Sequence, residues 1–217
     1  MPVKTDREYR DILTPMEIRK AEDGKMTVEG YATTFNQPYV LWQDREAVVR
    51  EQVDPKAFVG CDMSDVIMQY DHEGRVFARV KNGTLELTPD EHGLKVRADL
   101  GGTEIGRQLF EEIDGGYTNK MSFGFTVTGQ KRERSKDGDG NTVILRTITK
   151  VGRLFDVSAV SLPANDATEI SSRSIGDGLI AEVQEEVLAE QERQRKEQQI
   201  LEIRKLLNME EENHEDA

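Results

Sequence analysis

Residues 66–100 read VIMQYDHEGRVFARVKNGTLELTPDEHGLKVRADL. Val66-Ile67-Met68-Gln69-Tyr70 is a short apolar run that ends at Asp71-His72-Glu73-Gly74. Arg75–Val80 follows, and Lys81-Asn82-Gly83 punctuates it with an Asn-Gly pair. Thr84–Thr88 and Gly93–Leu100 both alternate apolar with polar residues, joined through Pro89-Asp90-Glu91-His92. Short alternating runs separated by tight turns predict a β-barrel or a β-sandwich.

The same grammar extends outward in both directions. Upstream, Met16–Ala21 and Thr27–Phe35 read as a hairpin around Asp23-Gly24, and Val48–Val53 as a further strand,. Asn36–Glu46 between them reads as a loop. Asp54-Pro55 has the chemistry of a helix start, with Asp54 as N-cap and Pro55 in the first turn. Downstream the period changes. Ile105, Leu109 and Ile113 recur every four residues with Phe110 alongside, which predicts an amphipathic helix over 103–113 capped by Thr103 and ended by Gly115-Gly116,. That helix delivers the chain to Asn119-Lys120-Met121-Ser122-Phe123-Gly124-Phe125 and a strand over 121–130. Residues 131–141 read as a polar tip, and 142–148 and 151–162 as the last strands.

Composition bounds the function. The chain of 217 residues is 33% charged and 36% hydrophobic, with a formal net charge of −13. That balance argues against nucleic acid or an anionic membrane as partner, since both recruit clustered Lys and Arg. Cys61 is the only cysteine, so there is no internal disulfide and no multi-cysteine metal site. No run of 18 apolar residues is present, and the first residues lack the apolar core of a signal peptide, so a soluble protein of a reducing compartment is expected. Residues 177–217 carry 13 acidic residues against 5 basic. There Leu179, Ile180, Val183 and Val187 form one helical stripe, and Ile200, Leu201, Ile203, Leu206 and Leu207 a second. A long helix with an interrupted apolar stripe is either a solvated surface helix or a segment that docks on a partner or is removed.

Ser122 stands at the mouth of a strand, with Gly124 leaving the backbone open to close approach. Most serines so placed only bond backbone or water, so the question is whether a base and an acid accompany it. Of three histidines, His214 lies in the acidic tail and His92 in a turn. His72 follows an apolar strand, where the strand fixes position and the turn frees the side chain. Imidazole titrates near neutrality without tuning, so it suits a general base, and it needs an orienting partner on its second nitrogen. Asp156 lies in Arg153–Val160, an apolar strand that otherwise carries little charge, and needs a partner if it faces inward; simple alternation allows it to face outward instead. Asp137-Gly138-Asp139-Gly140-Asn141 imitates the opening of a calcium loop, but Thr142 and Ile148 stand where glycine and glutamate are required, so a hairpin tip is expected. No phosphate loop or dinucleotide fingerprint is present.

The order His72, then Met121-Ser122-Phe123-Gly124-Phe125 fifty residues on, then Asp156-Val157-Ser158 leading to Pro163-Ala164-Asn165, resembles the prohead (capsid maturation) proteases of HK97-type tailed bacteriophages. Gly30-Tyr31-Ala32, Phe35-Asn36, Asp54-Pro55 and Ala57-Phe58 add to the likeness, which spans about residues 16–170. The resemblance implies a mainly β, mixed β/α fold similar to herpesvirus assembly proteases: a small closed β-barrel over 16–172 with peripheral helices. A flexible lead-in over 1–15 and an acidic helical tail over 173–217 complete the expected organisation. It further implies a serine endopeptidase with Ser122 as nucleophile, His72 as general base and Asp156 as third member, at a position where many members carry Glu. The herpesvirus relatives use a second histidine there, and His92 does not fit that order in the chain. No cofactor and no metal are implied. The expected substrates are the scaffolding part of the major capsid protein, or a separate scaffold, and the protease itself, inside the assembling prohead in the host cytoplasm; a homo-oligomer is compatible. The competing reading is a non-enzymatic capsid scaffolding protein in which serine and histidine are incidental.

Overall fold

The computed structural model describes residues 7–12, 17–20, 26–43 and 47–160, and in the tail 179, 181, 185–186, 188–190 and 192–201. The chain divides into two units, Met1–Gly176 and Asp177–Ala217. In the first, the described strands are β1 (Arg7–Ile12), β2 (Glu17–Lys20), β3 (Met26–Thr34), β4 (Tyr39–Gln43), β5 (Ala47–Val53), β6 (Ile67–Tyr70), β7 (Glu73–Arg79), β8 (Leu85–Pro89) and β9 (Gly93–Asp99). After helix α1 (Glu104–Asp114) come β10 (Lys120–Lys136) and β11 (Thr142–Val160).

The strands form two sheets. The smaller is antiparallel, in the order β2-β3-β9-β8. The larger is built on the long β10–β11 hairpin. β1 pairs antiparallel with the inner half of β10. On the far side of β11, two strands pair with it in parallel at different heights: β5 along 142–148 and β6 along 156–159. β4 extends from β5, and β7 from β6. Residues 54–62 fill the step between β5 and β6, where Val151 N–H donates to the Ala57 carbonyl and Asp62 N–H to the Gly152 carbonyl.

Apolar alternation explains these elements. β5 runs buried at every second residue, with Val49, Glu51 and Val53 inward, the period of two that a strand imposes. α1 buries Leu109, Phe110 and Ile113, and its first turn is capped as expected, Thr103 Oγ1 accepting from Gly106 N–H at 3.0 Å,. The core joins inward faces of both sheets, with Val28, Ala32, Leu94 and Val96 from one and Phe123, Phe125, Leu154 and Val157 from the other. Phe123 and Phe125 stack with ring centres 4.4 Å apart.

Several expectations are corrected. The fold is mainly β, but no closed barrel forms: among the described residues, the isolated bridge Phe35↔Val53 is the pairing recorded between the two sheets. Short strands with tight turns fit a barrel and a pair of sheets equally, because the pattern sets which residues face inward and not which strands become neighbours. The expected lead-in is strand from Arg7 to Ile12, where it covers an edge of β10. The expected loop 36–46 contains β4, hydrogen-bonded to β5. Asp54 caps a turn, its Oδ1 accepting from Lys56 N–H at 2.8 Å, but the chain turns away at Gly60 (φ 77°) before a helix develops. Residues 142–160 are one strand and not two, because β-bulges between Gly124 and Gln130 bend the hairpin without breaking it,. The Asp137–Asn141 motif is a hairpin tip as expected, Asp137 Oδ1 accepting from the N–H groups of Asp139 and Asn141,, but β10 runs on through Lys136, so residues 131–136 of the expected tip are strand paired with β11. The Asp23-Gly24 turn lies outside the described residues.

In the second unit the described residues are helical, and Leu188, Ile200 and Leu201 are exposed there. Ile180, Val183, Val187, Ile203, Leu206 and Leu207 of the two expected stripes lie outside the described side chains. Among the described residues no helix is long and apolar enough to cross a membrane.

Candidate active site

His72 is the second central residue of a two-residue hairpin turn between β6 and β7. Tyr70 pairs with Glu73, and Asp71 and His72 both have left-handed backbones, φ 47° and 61°. Positive φ at both central positions is the signature of a type I′ turn, which matches the twist of the flanking strands. Asp and His tolerate this region better than most side chains, though each still carries strain. Asp71 N–H donates to the Ala159 carbonyl at 3.0 Å, which ties the turn to β11.

Ser122 lies on β10 between two neighbours, opposite Asp11 of β1 and Ser158 of β11, and Gly124 lies opposite Asp156. The period of two puts Ser122, Gly124, Asp156 and Ser158 on one face of the sheet, and β6 brings its turn over that face. His72 Nε2 lies 2.6 Å from Ser122 Oγ, and His72 Nδ1 is in contact with Asp156 Oδ2. The three residues expected from sequence therefore meet in one hydrogen-bonded row. Asp156 faces inward, with its side chain fully buried.

The row has further members. Ser158 Oγ donates to Asp156 Oδ2 at 3.1 Å and lies 3.2 Å from His72 Nδ1. Ser122 Oγ lies 3.0 Å from the Arg10 carbonyl oxygen. The hydroxyl has one proton and two acceptors, Nε2 and this carbonyl. The Tyr9 ring packs edge-on against the His72 imidazole, centres 4.5 Å apart. Arg7 pairs with Asp156 Oδ1. Burial pushes the His72 pKa down, to about 4, and the positive charge of Arg7 acts the same way; Asp156 against Nδ1 opposes them. The imidazole is neutral at pH 7, with Nδ1–H on the carboxylate and Nε2 able to accept a proton.

Beneath β1, on the opposite face of the sheet, is a buried ionic cluster. Arg10 Nε and Nη2 donate to Glu51 at 2.5 and 3.0 Å. Arg146 Nη1 reaches Glu51 at 2.5 Å and Glu8 at 2.8 Å, and Tyr39 donates its hydroxyl to Glu51. Burial works to raise the Glu51 pKa, but the charges of Arg10 and Arg146 and the hydrogen bonds from Arg10 and Tyr39 bring it below the usual carboxylate value. The cluster anchors the strand whose other face carries Arg7 and Tyr9.

Other sequence candidates lie elsewhere. His92 packs on Tyr31 in an exposed turn, and His214 is outside the described residues. The half-buried Cys61 thiol is pushed up to about 11, chiefly by burial, so it is not activated,. Sequence reading missed Arg7, Tyr9, Arg10, Glu51 and Ser158. Arg7-Glu8-Tyr9-Arg10 does alternate in strand fashion, but its charges mask an inward face that is ionic instead of apolar.

These features define a class: a β protein with a Ser-His-Asp row on one sheet face. The chain matches the family model for caudovirus prohead serine proteases over residues 14–179, and it belongs to that family. Among solved structures it is similar to the bacteriophage T4 capsid assembly protease, gp21, with 11% identity over 71% of this chain and 96% of that one, and a TM-score of 0.39. No match was found among curated proteins.

Proposed function

We propose that this chain is a serine endopeptidase in which Ser122 is the nucleophile, His72 the general base and acid, and Asp156 the group that orients His72. The observation that carries the reading is the row itself: Ser122 Oγ at 2.6 Å from His72 Nε2, with Nδ1 on a buried carboxylate. Ser122 attacks a peptide carbonyl as its proton passes to Nε2. Asp156 holds the Nδ1–H tautomer and offsets the imidazolium charge. Backbone N–H groups stabilise the oxyanion. His72 returns the proton to the leaving amine, and water, activated by the same base, releases the acyl group from Ser122.

The family of the chain supports substrates within the immature phage capsid: the scaffolding part of the capsid protein, or a separate scaffold, and the protease itself. The site of action is then the interior of the assembling prohead in the host cytoplasm. The acidic unit after Gly176 tethers the protease during assembly and is later cut away. Deleting it is expected to lower incorporation into proheads.

The decisive experiment is intact mass after expression and incubation, alone and with capsid protein, for wild type and Ser122→Ala. Wild type shortened or capsid protein cleaved, with the variant inert, supports the reading. Equal trimming of both would overturn it and leave a structural scaffold as the function.

A further inference from the structure

Asp156 has two carboxylate oxygens, and His72 and Ser158 use the same one, Oδ2. Oδ1 is equally buried, and the described residue in contact with it is Arg7. A carboxylate with one oxygen unheld can rotate about its terminal torsion, which is broad and roughly two-fold. Such rotation would carry Oδ2 away from the imidazole.

The surroundings are shaped for this pair. A Cβ at Gly124, across the ladder from Asp156, would lie 2.5 Å from Asp156 Oδ1 and 2.8 Å from both Arg7 Nε and Nη2. Any side chain at 124 would thus occupy the space where the guanidinium and carboxylate meet. The Arg7 guanidinium is held flanking the Tyr9 and Phe155 rings, 4.9 and 4.6 Å from their centres,. Tyr9 in turn packs on His72. Arg7 precedes the segment matched by the family model, which starts at residue 14.

We propose that Arg7 is a positioning residue of the active centre: its guanidinium holds Asp156 Oδ1 so that Oδ2 stays on His72 Nδ1. The N-terminal strand β1 is therefore part of the catalytic apparatus as well as an edge of the sheet. The inference rests on the assignment of Ser122, His72 and Asp156 as catalytic, and its test separates the two.

The test uses the full chain. The first readout needs no activity: the nitrogen-15 and Nδ1–H proton resonances of His72, recorded in a Ser122→Ala background with and without Arg7→Met. Arg7→Met is expected to weaken the Nδ1–H to carboxylate bond, moving that proton resonance upfield and mixing the tautomers. The second is the rate of self-processing or capsid-protein cleavage. It is expected to fall by about 100-fold in Arg7→Met, as a misplaced orienting group does, and to recover partly in Arg7→Lys, with the unfolding midpoint of Arg7→Lys close to wild type. Unchanged His72 resonances together with a rate within twofold of wild type would overturn the proposal. If Arg7→Met does not fold, Arg7→Lys decides: a ten-fold slower reaction with a shifted His72 resonance supports a positioning role, and wild-type behaviour overturns it. Ser122→Ala being processed like wild type would sink the protease reading and leave the resonance test of Arg7 standing.

Discussion

His72 is held in a left-handed backbone that a glycine would adopt without strain,. The type I′ turn aims the imidazole back over the sheet, and the strain is carried by the β6–β11 pairing and the Asp71–Ala159 bond. Electrostatics at this residue make a pH prediction. The groups facing the ring are Asp156, Ser122, Ser158, Tyr9 and, through Asp156, Arg7. With the folded pKa lowered to about 4, the His72 imidazole stays unprotonated below its usual pKa of about 6.5. The acid limb of kcat/KM is expected between pH 4 and 6.5, and a limb centred at or above 6.5 would contradict it. The sign for stability follows from the same shift. Between about 4 and 6.5 the unfolded chain binds the proton and the folded site does not, so this contribution is complete above 6.5 and declines as pH falls toward 4. Thermal unfolding across that window checks the direction.

At the scale of elements, β1 carries an unusual load. Its six residues present Arg7 and Tyr9 to the site on one face, and Arg10 to Glu51 on the other. Glu51 is fully buried and shared by two guanidinium groups and a tyrosine hydroxyl. Removing its charge leaves Arg10 and Arg146 buried with less than their neutralising partner, which costs more than the intact cluster gains. Glu51→Gln is expected to destabilise the fold by about 3–5 kcal/mol, read from urea unfolding, and to slow processing further by loosening β1. A loss under 1 kcal/mol would show that the cluster is more hydrated than its burial implies. The long β10–β11 hairpin shows the complementary principle. Its bulges lie between Gly124 and Gln130, immediately beyond Ser122, where a bend lets one pair of strands serve the site at one end and the buried ionic cluster at the other.

At the scale of the whole molecule, the row is closed. Ser122 is 0% exposed, and its hydroxyl is held by the Arg10 carbonyl as well as by His72. On the proposed reading, a peptide substrate reaches a hydroxyl so covered only with a movement of its surroundings. Labelling of the isolated chain by a serine-directed phosphonate, followed by mass spectrometry, is expected to be slow and to speed up under mild denaturant before global unfolding. Rapid stoichiometric labelling in native buffer would show instead that the site opens freely.

Much of this was legible from residues alone. Alternation in 66–100 and 142–160, the four-residue period of α1 and the Thr103 cap are local signals, governed by backbone sterics and by the burial of one face. Ser122, His72 and Asp156 were legible through their order along the chain and through what imidazole, hydroxyl and carboxylate can do together. Neighbour choice was not. Whether short strands close into a barrel or pack as two sheets depends on which edges meet, and the alternation of any one strand is the same in both. The part played by β1 was hidden for a related reason. Arg7, Arg10 and Glu51 are 41 or more residues from at least one of their partners, or meet them across a ladder, and a charged strand reads as solvated until its counter-charges are located. The sequence determined which groups are available and which way each strand faces; the tertiary structure decided which charges meet in the dark of the sheet, because long-range pairing, unlike periodicity, leaves no mark on neighbouring residues.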